Sequence, residues 1–172
     1  MTEESITLKK LKEKFPQAIQ GMHSYRGDDT AIIAREHILE VCRFLRDDPQ
    51  LDYNFMMDLT GVDYLDRKPK FIDLNWLMLP KGSGYEGRDP RFEVVYHFNS
   101  WKPLDRSCVK ILVGKDSNLA PSLSAIYKSA LWFEREVCEM FGITFEGHPG
   151  LNKLLLPDSS EIHPLLKSFK GE

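Results

Sequence analysis

The sequence predicts an α+β fold of two layers, with helices packed on a mostly antiparallel mixed sheet. Apolar residues recur at helical spacing near both ends of the chain, and runs rich in β-branched and aromatic residues lie between them. The predicted element order is α-β-β-α-β-β-β-β-α, followed by an extended C-terminal tail. A chain of 172 residues with 42% hydrophobic residues is long enough for one domain with its own core.

The N-terminal part of the chain begins with a short helix, followed by a hairpin and a second helix. The first helix is predicted by apolar residues at helical spacing that end at a proline: Leu8, Leu11, Phe15 and Pro16. The segments Ala18 to Arg26 and Thr30 to Ala34 flank a Gly27-Asp28-Asp29 turn and predict the hairpin. A second helix is predicted over about Glu36 to Arg46, before Pro49.

The centre of the chain is predicted to form strands of one sheet. These runs are rich in alternating or β-branched apolar residues: Phe55 to Tyr64, Phe71 to Leu79, Phe92 to Phe98 and Cys108 to Val113.

A long amphipathic helix is predicted to begin at a Ser122 cap and to stop at Gly142. Its buried stripe holds residues at three- and four-residue spacing: Leu123, Ile126, Tyr127, Ala130, Phe133, Val137, Met140 and Phe141. Trp132, Arg135, Glu136 and Glu139 share another face, so Arg135 is predicted to lie in a cluster with nearby acids.

The chain after Gly142 is predicted to be an extended tail, which gives an α+β domain over 1–142 and a partner-binding tail over 143–172. Prolines interrupt this tail, and its apolar residues need cover from the domain or from a partner, of which a partner is preferred.

Composition excludes several classes of protein. A formal charge of −3 and a pI near 6.0 argue against nucleic acid as the main partner. No apolar run is long enough for a membrane span, and the acidic N-terminus is unlike a signal peptide, so synthesis in the cytosol is expected. Cys42, Cys108 and Cys138 are widely spaced, which suits neither a disulfide framework nor an iron–sulfur ligand pattern.

One motif resembles a dinucleotide fingerprint. Residues 82–87 read Gly-Ser-Gly-Tyr-Glu-Gly, but Arg88-Asp89-Pro90 follows and leads into a strand, whereas the fingerprint needs a helix directly after the loop. The motif is therefore interpreted as a hairpin loop.

The acids of the long helix allow two interpretations from the residues alone. Glu134, Glu136, Glu139 and His148 carry groups that serve as metal ligands or as an acid/base pair, but Glu136 and Glu139 lack the Glu-x-x-His spacing of helical dinuclear sites. The alternative is that Arg135 pairs with the neighbouring acids and orders the helix end. His148-Pro149 and His163-Pro164 are then simple turns.

One pattern in the second half of the chain is distinctive and consists of Glu134 to Glu136, Glu139, Met140-Phe141, His148 and Leu154-Leu155. Further segments flank it: Phe55 to Tyr64, Arg91 to Phe98, Leu155 to Asp158 and His163 to Leu165. With these residues the chain resembles, over about Phe55 to Phe169, a peripheral-arm subunit of respiratory complex I, the C-type or thirty-kilodalton subunit. Residues 68–90 are an insertion relative to the family pattern, and Ile162 and Leu166 replace a usual glycine and arginine.

The resemblance implies a scaffold subunit without a catalytic centre or cofactor, in a proton-pumping NADH:quinone oxidoreductase. FMN and iron–sulfur clusters would lie in partner subunits. The chain would contact the quinone-site subunit, of the forty-nine-kilodalton type, and the iron–sulfur subunits. The complex would hold the chain peripherally on the cytoplasmic side of the bacterial inner membrane. The implied interface residues are Trp132, Glu134, Arg135, Glu136, Glu139, Phe141, His148, Pro149, Leu151, Lys153, His163 and Pro164.

Two alternatives stay open at this stage. One is the equivalent subunit of a membrane-bound hydrogenase or another complex I-like assembly. The other is a free-standing enzyme that uses Glu136, Glu139 and His148 as acid/base or metal groups.

Overall fold

The computed structural model describes residues 5–25, 27–65, 91–114 and 117–171. The α-helices of this part of the chain are α1 (Ile6–Lys14), α2 (Ile38–Asp47) and α3 (Ala130–Phe141), and a single 3₁₀ turn (Arg35–His37) precedes α2. The strands are β1 (Ile19–Tyr25), β2 (Asp28–Ile33), β3 (Phe55–Asp63), β4 (Phe92–Ser100), β5 (Asp105–Val113), β6 (Leu119–Pro121) and β7 (Thr144–Glu146).

The main sheet has five strands in the order β1-β2-β5-β4-β3. Strands β2 and β5 are parallel, and the other neighbouring pairs are antiparallel. Strands β6 and β7 form a separate parallel pair, which the sequence did not predict. The predicted α+β class with a mixed, mostly antiparallel sheet is confirmed.

One hydrophobic core joins the helices to the sheet. Alternate residues of the strands, such as Tyr96 on β4 and Ile111 on β5, pack against apolar residues of the helices, such as Leu11, Leu45 and Val137. Successive strand residues point to opposite faces of a sheet, so a single core of this kind places the helices on one face.

The predicted start of the long helix at Ser122 is wrong, because α3 begins at Ala130. Strand β6 ends at Pro121, and the Ser122 N–H donates to the Glu146 carbonyl at 2.8 Å, which extends the β6–β7 pairing. The backbone of Ser122 is therefore committed to strand pairing. Leu123, Ile126 and Tyr127 are buried as predicted, but they lie in turns before the helix.

The predicted strand at Phe71 to Leu79, the insertion at 68–90 and the glycine-rich motif at 82–87 lie outside the described residues.

A close contact between β3 and α3 gives a first prediction. A Cβ atom added at Gly61 would lie 2.8 Å from Cδ2 of the Phe141 ring. We expect Gly61→Ala to lower the free energy of unfolding by about 1–3 kcal/mol, because the ring must shift in a packed interior. Urea unfolding measures this loss. Gly114→Ala is the control, since an added Cβ there meets nothing within 4 Å. Equal stability of both variants would contradict the prediction.

Candidate interface formed by helix α3 and the C-terminal segment

Helix α3 is fixed to the sheet at its start and is ended by a glycine. Before its first turn, the Ser129 hydroxyl donates to the Met56 carbonyl of β3 at 3.2 Å. At its other end, Gly142 adopts the left-handed conformation at φ 70°, and its N–H donates to the Cys138 carbonyl. Glycine tolerates this conformation without the steric cost of a side chain, so the predicted helix stop at Gly142 is confirmed.

The chain after β7 contains no helix or strand within residues 147–171, and a carboxylate of α3 holds its middle part in place. The side chain of Glu139 accepts hydrogen bonds from the backbone N–H groups of Leu154, Leu155 and Leu156, with shortest distances of 3.3, 2.9 and 2.7 Å. Glu139 is only 3% exposed. Hydrogen bonds to an ionised acceptor are stronger than neutral ones, so this contact orders a segment that lacks its own periodicity.

The pKa of Glu139 reflects the same geometry. Burial on its own raises the pKa of this carboxyl, but the N–H donors of Leu155, Leu156 and Leu154 and the charge of Lys153 lower it below the usual value of 4.5. The net direction is downward, so the carboxylate is ionised at neutral pH.

Arg135 also binds the C-terminal segment and does not pair with the acids of its own helix. Its Nε donates to the Asn152 carbonyl at 2.9 Å, and its Nη2 donates to the Lys153 carbonyl at 2.6 Å. Its guanidinium lies 5.2 Å from the centroid of the Trp132 ring, within range of a cation–π contact. The predicted cluster of Arg135 with neighbouring acids is therefore wrong, because the fork of N–H donors is used on backbone carbonyls.

Two histidines attach the segment at further points. His148 Nε2 donates to the Leu131 carbonyl at 3.2 Å, and its Nδ1 accepts from the Gly150 N–H at 3.0 Å. His163 Nδ1 donates to the Glu139 carbonyl at 2.7 Å. The His163 ring also lies against Gly142, where an added Cβ would be 3.1 Å away. Both histidines thus act as clamps on α3.

The last contacts join the end of the segment to α3 and to the sheet. The Leu165 N–H donates to the Met140 carbonyl at 3.1 Å. The Lys167 N–H donates to Asp63 Oδ2 at 2.8 Å, and Arg91 forms an ion pair with the same oxygen at 3.0 Å. Residues 143–172 were predicted to be an extended tail, and the described part of this segment lies along the domain.

Glu134, unlike Arg135 and Glu139, forms no hydrogen bond with the described part of the C-terminal segment. Its side chain points into the core and is fully buried. Its carboxylate accepts from the Ser122 hydroxyl at 2.6 Å and from the Leu123 N–H at 2.6 Å. Burial raises the pKa of Glu134 to about 7, although these two hydrogen bonds act in the other direction. Glu134 thus fixes the loop that precedes α3.

The implied interface residues divide into four groups. Glu134 and Phe141 are buried in the domain, so neither is available to a partner in this structure. Those that join α3 to the C-terminal segment are Arg135, Glu139, His148, Lys153 and His163. Leu151 packs partly buried against the core, and Pro164 is half-buried. Those that are exposed are Trp132, Glu136 and Pro149.

The α3–tail surface, defined by Trp132, Leu155, Ile162, Leu165 and Phe169, presents apolar side chains to solvent. Trp132 is 59% exposed and Leu155 is 64% exposed. Leu151 and Leu166 of the same segment pack against the core. The domain therefore covers part of the apolar surface of the tail and leaves the rest open, which is typical of an interaction site.

A metal or acid/base site built on Glu136, Glu139 and His148 does not fit this geometry. The Glu139 carboxylate is occupied by backbone N–H groups, and both ring nitrogens of His148 are engaged by the backbone. Within the described ranges, no group of three or more His, Cys, Asp or Glu side chains is placed to hold a metal ion.

Sequence reasoning missed the binding of the tail amides by Glu139 and the role of Glu134. One signal for Glu134 was present, because it falls between Ala130, Val137 and Phe141 on the buried stripe of α3. An acid at such a position needs buried hydrogen-bond donors. No sequence pattern identifies the backbone donors at Leu154 to Leu156.

The described helices include none that is long and apolar enough to cross a membrane.

Comparison with known families settles the resemblance. The family described as respiratory-chain NADH dehydrogenase, 30 Kd subunit, matches residues 31–172. The chain belongs to this family. A relative from Roseiflexus sp. (strain RS-1), the C subunit of NADH-quinone oxidoreductase, is 40% identical over 163 residues, which is 95% of this chain and 82% of that protein. The protein of the same name from Citrifermentans bemidjiense is 40% identical over 169 residues, 98% of this chain and 91% of that protein.

Solved structures share the fold of this family member. The trypsin-resistant fragment of Nqo5 superposes with a TM-score of 0.63 at 28% identity, covering 84% of this chain and 99% of the fragment. A chain of an archaeal respiratory membrane complex, the membrane-bound sulfane sulfur reductase, has a TM-score of 0.68 at 22% identity. The match covers 95% of this chain and 83% of that one, and it shows likeness of fold alone.

Proposed function

We propose that this family member is a non-catalytic scaffold subunit of the peripheral arm of a proton-pumping NADH:quinone oxidoreductase. Its role is to hold the quinone-site subunit and the iron–sulfur subunits in register, so that electrons pass from NADH to quinone beside it. In this proposal it carries no cofactor, and FMN and the iron–sulfur clusters belong to its partners. It lies peripherally on the cytoplasmic side of the membrane, held there by the complex.

The observation that carries this proposal is the ordered α3–tail surface. Arg135, Glu139, His148 and His163 fix an irregular segment to α3, while Trp132 and Leu155 stay exposed. A free tail would lose conformational entropy on binding, whereas a pre-ordered one presents its apolar residues at less cost. An exposed tryptophan beside a guanidinium is typical of the centre of a protein–protein interface.

The positions of the cysteines support the absence of a redox centre in this chain. Cys42 on α2, Cys108 on β5 and Cys138 on α3 are separate in the fold. Burial raises the pKa of all three thiols, that of Cys108 to about 11. Iron–sulfur clusters are held by several converging thiolates, and these thiols neither converge nor favour the thiolate form.

The test is co-purification of the complex with this chain. The tagged chain, expressed in its native host and recovered from gently solubilised membranes, is expected to bring down quinone-site and iron–sulfur subunits with NADH:quinone activity. The same subunits without NADH oxidation would favour a related assembly such as a membrane-bound hydrogenase. Recovery of the chain alone would contradict the proposal.

The variant Arg135→Ala adds a residue-level prediction. We expect at least a tenfold loss of co-purifying subunits, because two charge-assisted hydrogen bonds to the tail and the support of Trp132 are removed. Arg135→Lys should not restore assembly, since an ammonium cannot reproduce the planar fork.

Arg43→Ala is the matched control, because Arg43 is an exposed arginine on another helix. Quantitative mass spectrometry of the purified complexes measures the effect. Arg135→Ala complexes that hold their partners at wild-type amounts would contradict the prediction.

A further inference from the structure

A second exposed apolar cluster lies away from the α3–tail surface, where β3 begins and β4 turns into β5. We call it the hairpin-end patch and define it by Phe55, Met57, Trp101 and Leu104, which are 44%, 43%, 64% and 80% exposed. Single exposed apolar residues are ordinary on protein surfaces, but a contiguous group with a tryptophan marks an interaction site.

Contacts within the chain hold the residues of the hairpin-end patch in place. The rings of Phe55 and Trp101 lie 6.2 Å apart between centroids. An ion pair between Lys102 Nζ and Asp52 Oδ2 at 3.3 Å joins the turn that carries Trp101 to the segment that precedes Phe55.

Backbone conformation also points to a constraint at this end. Asp52 and Leu104 are the non-glycine residues with positive φ in the described chain, at 45° and 53°. The left-handed region is costly for leucine, and such strain concentrates at functional sites. Here it holds Leu104 out into solvent, where the side chain gains nothing by burial within this chain.

The patch continues into a groove on the sheet face opposite the core. Met57 belongs to both, and the groove has a volume of 630 Å³. Its floor is a row of side chains in register, one from each strand of the main sheet: His23, Thr30, Cys108, His97 and Asp58. Patch and groove thus form one continuous surface.

The charges beside this surface select its occupant. Asp52 pairs with Lys102, Asp28 with Arg106 at 3.1 Å, and Glu93 with Lys110 at 2.9 Å. These three pairs are balanced within the chain. Asp58 on the groove floor is exposed, so an occupant that leaves this carboxylate in contact with solvent needs no compensating charge. An uncharged, apolar segment is the complementary chemistry.

The area of the patch argues against a second copy of this chain. Four side chains of this exposure present roughly 400 Å² of apolar surface, about half of what each partner buries in a stable standard interface. The interface of a symmetric dimer formed by the patch alone would be too small for a stable complex. A segment that also follows the groove buries more.

We propose that the hairpin-end patch and its groove receive an uncharged apolar segment of another subunit of the respiratory complex. This inference rests on the proposed scaffold function and adds a second docking surface to it. The chain then touches its neighbours on two separate faces, as a subunit that keeps partners in register requires.

The experiment uses the tagged chain within the complex in its native membrane. A photo-crosslinking benzophenone amino acid replaces Leu104, and irradiation is expected to link this position to an apolar, uncharged stretch of a different subunit. A link to a second copy of this chain or to lipid, or no link in an otherwise intact complex, would overturn the inference.

Two substitutions test the energetic role of the patch. Trp101→Ser and Leu104→Asn are each expected to reduce retention of that subunit about tenfold, as loss of an interface anchor does. Asparagine tolerates the left-handed conformation of residue 104, so Leu104→Asn keeps the turn and should not lower the stability of the chain. Ile6→Ser is the control, because Ile6 is 46% exposed on α1, outside the patch.

The two proposals fail in different ways. Full retention in both patch variants, with wild-type chain still recovering its partners, overturns the docking surface and leaves the scaffold function standing. Failure of the wild-type chain to recover any subunit overturns the scaffold function itself.

Discussion

Glu139→Ala is expected to release the C-terminal segment from α3 while the sheet and helices stay folded. The substitution removes the acceptor of the N–H groups of Leu154, Leu155 and Leu156. Hydrogen bonds to a charged acceptor contribute about 1.5–3 kcal/mol each and are not additive, so a loss of about 4 kcal/mol in the local stability of the segment is expected.

Backbone hydrogen exchange measures this release directly. The amides of Leu154 to Leu156 and of Leu165, which donates to the Met140 carbonyl, should exchange roughly 10²–10³-fold faster, since each step of about 1.4 kcal/mol is a factor of ten. Amides of β4 and β5 should keep their wild-type rates. Glu136→Ala is the matched control, because Glu136 is an exposed acid on the same helix. Unchanged exchange at Leu154 to Leu156 in Glu139→Ala would show that the carboxylate does not hold the segment.

Glu134→Gln is expected to change the pH dependence of stability. The pKa of Glu134 is raised from 4.5 to about 7 by burial, so the folded state holds its proton more tightly than the unfolded chain does. The stabilisation is therefore complete below pH 4.5 and is lost as the pH rises through about 7, a loss of about 3 kcal/mol at about 1.36 kcal/mol per pKa unit.

Glutamine mimics the protonated acid at this site. Its amide can donate to the Ser122 oxygen while its carbonyl accepts from the Leu123 N–H, because the Ser122 hydroxyl can donate instead to Ser124 at 2.8 Å. The variant has no ionised carboxyl to bury at high pH. It should gain about 3 kcal/mol relative to wild type between pH 4.5 and about pH 8.

Urea unfolding at a series of pH values compares the two proteins. The difference between them isolates Glu134, because other titrating groups are common to both. Glu136→Gln, at an exposed position of the same helix, should follow the wild-type profile. Parallel profiles for wild type and Glu134→Gln would contradict a buried carboxyl with a raised pKa.

Much of the fold follows from local pattern. The apolar spacing of Leu8 and Leu11 predicts α1, the Gly27 turn predicts the β1–β2 hairpin, and Gly142 predicts the end of α3. Each of these signals is contained in a few neighbouring residues and acts through backbone geometry or helical periodicity. Local pattern failed at Ser122, where strand pairing with Glu146 replaces the helix that the apolar spacing indicated.

The candidate site was found only in part. The family resemblance names Trp132, Arg135, Glu139, His148 and His163 as interface residues, which stays a prediction, and it does not give their contacts within the chain. The partners of these side chains are mostly backbone groups far along the chain, and backbone N–H and carbonyl groups leave no mark in a sequence. The hairpin-end patch was not predicted for a related reason. Phe55 begins β3 and Trp101 lies in the turn after β4, so only folding brings their rings together.

The sequence by itself determined the α+β class, the end of α3 and the family. These properties depend on hydrophobic periodicity, turn residues and a conspicuous motif, all of which are short-range. Tertiary structure alone decided that Glu134 faces the core, that Glu139 binds the tail, and that Arg135 donates hydrogen bonds to backbone carbonyls instead of pairing with acids. The reason is that hydrogen-bond partners and burial are set by how distant segments pack. The same charged side chain stabilises a helix surface, a buried loop or a docked tail according to what that packing brings within about 3 Å.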